Sequence, residues 1–200
     1  MLELETPRGP ARVHLHPVED PRAALVLGHG AGGGVGAPDL VAATAAALTA
    51  RVTVALVEQP YRVAGRRSPA PAAQLDEAWT SVVAQLRAGE LDGLPVVVGG
   101  RSSGARVACR TAAATGAAGV LCLAFPLRPP GRLDAPSRLS ELDGVSVPLL
   151  VVQGERDPFG IPPASHLRSV VLVPGDHSLR AAAAVQEAVR AWLDSPGVVG

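Results

Sequence analysis

Short continuous apolar runs along the chain alternate with longer stretches whose apolar residues fall three and four apart. Residues 2–6 and 13–16 differ from both, because they alternate apolar and polar around Pro7-Arg8-Gly9-Pro10. That pattern predicts an opening hairpin. The continuous runs follow at 23–27, 52–57, 96–98, 119–124, 149–152 and 170–173, rich in Val and Leu and flanked by Gly and Pro. Strands that read apolar at every position suit a parallel sheet covered on both faces. Helical stretches are expected between them. Residues 39–50 follow Pro38, and proline is favourable at a first helical position. Residues 72–87 place Leu75, Trp79, Val82, Val83 and Leu86 on one stripe. Residues 103–115 are Ala-rich up to Gly116, and 179–193 carry Val185, Val189 and Trp192.

Strands alternating with helices predict an α/β protein, with a mostly parallel central sheet and helices on both faces. There is no internal repeat and no dividing linker, so residues 1–200 are expected to form one domain. The longest loops, 62–71 and 127–136, are candidates to line a site.

Composition narrows the function classes. Hydrophobic residues are 48% of the chain, enough for a core without staples. The 18 basic residues are all Arg and are balanced by 18 acids. That balance lacks the basic stripe of a nucleic-acid binder, so no nucleic-acid partner is expected. The apolar runs fall well short of the ~20 residues a membrane span needs. The first residues carry Glu3 and Glu5 where a secretory leader is basic. A soluble, cytoplasmic protein without a membrane partner is the expectation. Cys109 and Cys122 sit in apolar surroundings and read as buried free thiols.

In parallel sheets ligands bind beyond the carboxyl ends of the strands. Gly99-Gly100-Arg101-Ser102-Ser103-Gly104 follows the run at 96–98 and precedes a helix. It contains Gly-x-Ser-x-Gly, and a serine on such a turn is lifted above the sheet at the positive end of a helix. Ser102 is the candidate nucleophile. A glycine-rich turn that binds phosphate is the alternative. Gly28-His29-Gly30-Ala31-Gly32-Gly33-Gly34 follows the run at 23–27. Its backbone can present N–H groups to a developing oxyanion, with Ala31 and Ser103 as the two donors. The same glycines match Gly-x-Gly-x-x-Gly at 28, 30 and 33, with Glu58 ending the next strand, which leaves a dinucleotide loop as an alternative. His29 reads as a structural support for the loop.

Asp157 follows the run at 149–152, and His177 follows the run at 170–173. The order Ser, Asp, His suits this architecture. His177 is the candidate general base and Asp157 the residue that orients it, with Glu155 the weaker acid. No metal-ligand spacing, no Walker pattern and no organic cofactor is suggested.

These blocks resemble the α/β-hydrolase superfamily over nearly the whole chain. More narrowly, they resemble a small branch that includes testis-expressed and histone-acetyltransferase-complex hydrolase-like proteins and borders on dienelactone hydrolases. The resemblance rests on His29-Gly30-Ala31-Gly32, on Gln59-Pro60-Tyr61 with Gly65-Arg66-Arg67-Ser68-Pro69, and on Gly99 to Gly104 with Arg106. It continues through Phe125-Pro126-Leu127 with Pro129-Pro130-Gly131, Gln153-Gly154-Glu155-Arg156-Asp157-Pro158-Phe159-Gly160, and Gly175-Asp176-His177-Ser178. It implies an α/β-hydrolase fold with Ser102, Asp157 and His177 as triad and Ala31 and Ser103 as oxyanion donors. About 25 residues separate Phe125 from the next strand, so minimal or no cap domain is expected.

The expected function is a serine hydrolase that cleaves a small-molecule ester or thioester. Gly30, Gly32, Tyr61, Arg66 and Leu127 are placed at the substrate. The loop arginines 62, 66, 67 and 128 hint at an anionic group. A catalytically silent binding or scaffold module, and a small peptidase, are the alternatives.

Overall fold

The computed structural model describes residues 1–132 and 134–199. Eight strands form one sheet: β1 (Leu2–Leu4), β2 (Ala11–His16), β3 (Ala23–Gly28), β4 (Val52–Glu58), β5 (Val96–Arg101), β6 (Gly119–Leu123), β7 (Leu149–Gly154) and β8 (Arg168–Val173). Their spatial order is β1-β2-β4-β3-β5-β6-β7-β8. The opening hairpin is present, with β1 antiparallel to β2 and β2 antiparallel to β4. From β4 onward every pair is parallel.

The central strands are continuous in apolar residues because both of their faces are covered. Along β3, Ala24 and Val26 face one core, while Leu25 and Leu27 face the other. The first core packs beneath α3 (Ala72–Ala88) and α4 (Ser103–Thr111), with Trp79, Leu86 and Val107 among its members. The second packs beneath α1 (Pro38–Thr49) and α6 (Ala182–Leu193), with Leu40, Val189 and Trp192. A strand's side chains alternate between faces, so a run apolar at every position feeds both layers.

A one-turn helix, α2 (Pro60–Val63), runs into the loop expected over 62–71, and a second, α5 (Leu139–Asp143), lies beyond the loop expected over 127–136. A single turn is too short to show helical periodicity. The helix expected over 103–115 stops at Thr111, and its continuation turns into Gly116, which takes a φ of +61°. The helix expected from 179 starts at Ala182 instead, because Leu179 turns inward at a φ of +44° and is fully buried.

Cys109 and Cys122 are free and buried, with Sγ atoms 3.4 Å apart. No helix among the described residues is long and apolar enough to cross a membrane. Strand order reverses at β3, which lies between β4 and β5. The loops leaving β3 and β5 therefore diverge to opposite sides, and a crevice at that point is where such sheets bind ligands.

Candidate active site

Ser102 sits between the last residue of β5 and the first residue of α4. Its backbone is held at φ +51°, ψ −106°, a region that costs a non-glycine residue energy. The turn is tight because β5 must hand the chain to a helix packed directly on β3. A Cβ on Gly100 would lie 2.5 Å from the Gly28 carbonyl oxygen, and one on Gly104 would strike the same carbonyl. Only glycine lets α4 come this close. The Ser102 N–H donates to the Leu123 carbonyl at 2.9 Å, which pins the turn to β6.

His177 lies in the loop after β8. Its Nε2 is 3.0 Å from Ser102 Oγ, and its Nδ1 is 2.8 Å from Asp157 Oδ2. A carboxylate only accepts, so His177 donates its Nδ1–H to Asp157 and leaves Nε2 free to accept from the serine. The Phe159 ring packs on the imidazole with centroids 4.1 Å apart.

The Asp157 side chain is fully buried after β7. Its Oδ1 accepts from the Phe159 N–H at 2.9 Å, and Oδ2 also accepts from Gln153 Nε2 at 2.7 Å. Two backbone bonds join the acid loop to the base loop: Glu155 N–H to the Val173 carbonyl at 3.0 Å, and Arg156 N–H to the Gly175 carbonyl at 2.9 Å. Glu155 itself is exposed.

The loop after β3 is held from below. The Gln59 N–H donates to His29 Nε2 at 3.1 Å, so His29 carries its hydrogen on Nδ1 and donates it to the Gly30 carbonyl at 2.8 Å. Burial pushes the His29 pKa down, which suits this neutral ring. The Tyr61 hydroxyl donates to the Ala31 carbonyl at 2.9 Å. Ser103 opens α4, where first-turn N–H groups have no partner within the helix.

The structure brings Ser102, His177 and Asp157 into one hydrogen-bonded line. It places the remaining candidates differently from one another. Gly30 is buried beside Arg101, and Gly32 is exposed with nothing within 4 Å of a modest side chain there. Tyr61 is buried (7% exposed) and acts from beneath the loop instead of lining its open face. Leu127 is buried and packs against Gly160. Arg66 is exposed, and its carbonyl accepts from Arg62 at 3.4 Å. Arg106 pairs with Glu141 of α5.

The dinucleotide alternative is not supported by this geometry. Its helix would have to open within the glycines, whereas α1 starts at Pro38, and Glu58 is engaged by His14 at 3.2 Å and Arg12 at 3.5 Å. Among the described residues there is no group of three or more His, Cys, Asp or Glu side chains placed to hold a metal ion.

Two residues escaped the sequence reading. Gln153 is fully buried at the end of β7; besides Asp157, it bonds the Phe125 N–H and carbonyl and the Gly160 carbonyl. A polar residue closing an apolar strand must find such partners, and that was the available signal. Arg101, the last residue of β5, is the other.

Residues 21–193 match a family model described as the alpha/beta hydrolase domain, and the chain belongs to that family. Among solved structures it is similar to XC6422 from Xanthomonas campestris, described as an α/β serine hydrolase without a lid. That match has 23% identity, covers 97% of this chain and 94% of that one, and has a TM-score of 0.75. It is also similar to Est1E from Butyrivibrio proteoclasticus with ferulic acid bound (17% identity, 96% and 98% covered, TM-score 0.76). A dienelactone hydrolase from Anabaena variabilis matches at 16% identity, with 96% and 94% covered and a TM-score of 0.74. No curated protein matches the chain.

Proposed function

We propose that the protein is a serine hydrolase that cleaves an ester or thioester of a small molecule through an acyl-enzyme on Ser102. One observation carries this reading: Ser102, held at positive φ above the sheet, lies 3.0 Å from an imidazole that is itself bonded to a buried carboxylate at 2.8 Å. That arrangement activates a hydroxyl. His177 Nε2 accepts the Ser102 proton as Oγ attacks the substrate carbonyl. The carbonyl oxygen becomes an oxyanion, and the N–H groups of Ala31 and Ser103 stabilise it. Asp157 keeps the imidazole in the right tautomer and stabilises its charged form. His177 then protonates the departing alcohol or thiol, and water repeats the sequence to release the acid.

Gly30 and Gly32 flank Ala31 and let its peptide approach the substrate closely. Arg66 sits at the outer rim, and Leu127 supports the acid loop from inside. The likeness to a dienelactone hydrolase favours an ester. We place the reaction in the cytoplasm, where two free buried thiols stay reduced.

The test is intact mass after incubation with a fluorophosphonate, for the wild type and for Ser102→Ala. A single adduct that is lost in the variant is expected. Turnover of p-nitrophenyl esters of graded acyl length should fall on the order of a millionfold in Ser102→Ala. A folded wild type that forms no adduct would overturn the reading and leave a binding module. Cleavage of peptides but not of esters or thioesters would move the assignment to a peptidase.

A further inference from the structure

Arg101 occupies the unspecified position before the serine in Gly-x-Ser-x-Gly, at the end of β5. Its guanidinium reaches three separate segments. Nε lies 2.9 Å from Asp39 Oδ2. Nη2 donates to the His177 carbonyl at 3.0 Å. Nη1 lies against Gly30, where a Cβ would come within 2.9 Å of it.

The first contact is a short ion pair in which the guanidinium faces the buried Asp39 Oδ2. Asp39 is fully buried near the start of α1, and its Oδ1 accepts from the Leu40 N–H at 2.9 Å. Burial pushes its pKa up, and the adjacent guanidinium works against that. A buried ion pair is rarely worth more to stability than well-packed apolar residues. Its position at the nucleophile turn points to a different role.

We propose that Arg101 and Asp39 are a positioning pair in which the Asp39 carboxylate orients the Arg101 guanidinium, which in turn holds the His177 backbone in register with the oxyanion loop. Asp157 holds the imidazole at Nδ1, and Arg101 holds the same residue at its carbonyl. Two anchors fix where Nε2 meets Ser102. The same guanidinium stands beside Gly30, so one side chain on the nucleophile turn references both the base and the oxyanion donors. Arg101 hydrogen-bonds the His177 carbonyl and not its ring or Ser102 Oγ, so it acts through the His177 backbone and Gly30. The proposal rests on the serine-hydrolase reading above.

The experiment compares wild type, Arg101→Met, Arg101→Lys, Asp39→Asn and the Arg101→Met/Asp39→Asn double variant. Three quantities are read: the rate of fluorophosphonate adduct formation, kcat and KM on a p-nitrophenyl ester that the wild type turns over, and Tm. Arg101→Met should lower kcat and the adduct rate by about a hundredfold with KM nearly unchanged, the scale expected of a small misplacement. Asp39→Asn should lower both by roughly tenfold. The double variant should be no slower than Arg101→Met, because Asp39 acts through Arg101. Arg101→Lys should not recover the loss, since a single ammonium cannot reach Asp39 and the His177 carbonyl together.

Wild-type rates in folded Arg101→Met, full recovery by lysine, additive losses in the double variant, or a loss confined to KM would each overturn the pair's role. If Arg101→Met does not fold, Asp39→Asn carries the test, because it keeps the side chain's shape, and a folded Asp39→Asn with wild-type kcat overturns the proposal. A wild type that forms no adduct overturns the hydrolase reading itself, and is distinguished by failing before any variant is compared.

Discussion

The two ends of the site are built in opposite ways. At the acid end, Asp157 is sealed from solvent and each carboxylate oxygen has a fixed donor, supplied by Gln153, His177 and Phe159. At the open end, the loop from Ala31 to Gly36 is half-open, and a side chain added at Gly32, Gly33 or Gly34 would meet nothing within 4 Å. That loop is fastened from beneath, by His29 to the Gly30 carbonyl and by Tyr61 to the Ala31 carbonyl. The difference follows from what each end meets. On the proposed function the carboxylate acts only through the imidazole, so burying it costs nothing in access and strengthens its hold on that ring. On the proposed function the N–H groups of this loop must reach the substrate, so only their carbonyl sides can be tied down.

This contrast predicts a graded response to substitution. The largest effect should come from Asp157→Asn. Its amide can present the wrong partner to Nδ1, and kcat should fall on the order of ten-thousand-fold while the fold survives, as circular dichroism would show. An Asp157→Asn enzyme within tenfold of wild type would mean that the acid end does not orient His177.

Gln153→Leu comes next. It removes one donor to Asp157 and leaves the Phe125 N–H unpaired in the core. Stability should drop by about 2 kcal/mol in urea unfolding and kcat by roughly tenfold. A loss of stability with unchanged kcat would reduce Gln153 to a loop clamp.

The smallest effect belongs to the open end. Tyr61→Phe deletes a single part-buried hydrogen bond, so kcat should fall by only about threefold and stability by less than ~1 kcal/mol. A drop in kcat as large as that of Gln153→Leu would show the two ends to be equally rigid, and the contrast would be lost.

Much of this was legible along the chain. The continuous Val and Leu runs foretold the buried parallel strands, since burial on both faces leaves no place for polar alternation. The glycines around Ser102 foretold a tight strand-to-helix turn, and the order of serine, acid and histidine after successive strands picked out the residues now found in line. His29 was expected to support its loop, and it does so through both ring nitrogens. The misses are of one kind. α2 is a single turn without a period. The bond from the Tyr61 hydroxyl to the Ala31 carbonyl has no local sign in the sequence. Gln153 closes an apolar strand with no local sign of its partners, and Arg101 is only the variable letter of a pattern.

Local patterns report what a segment does to itself: which face is apolar, where glycine is needed, where a strand must stop. By itself, therefore, the sequence determined the layers, most of the elements and the turns that carry Ser102, Asp157 and His177. The tertiary structure decided which distant atoms share those turns. Ser102 and His177 are 75 residues apart, and Arg101 and the His177 carbonyl are 76 apart. Whether such atoms meet depends on strand order, on the close approach of α4 to Gly28 and on which way each loop leaves the sheet. No segment encodes these alone, because they are the joint result of packing both faces of one sheet.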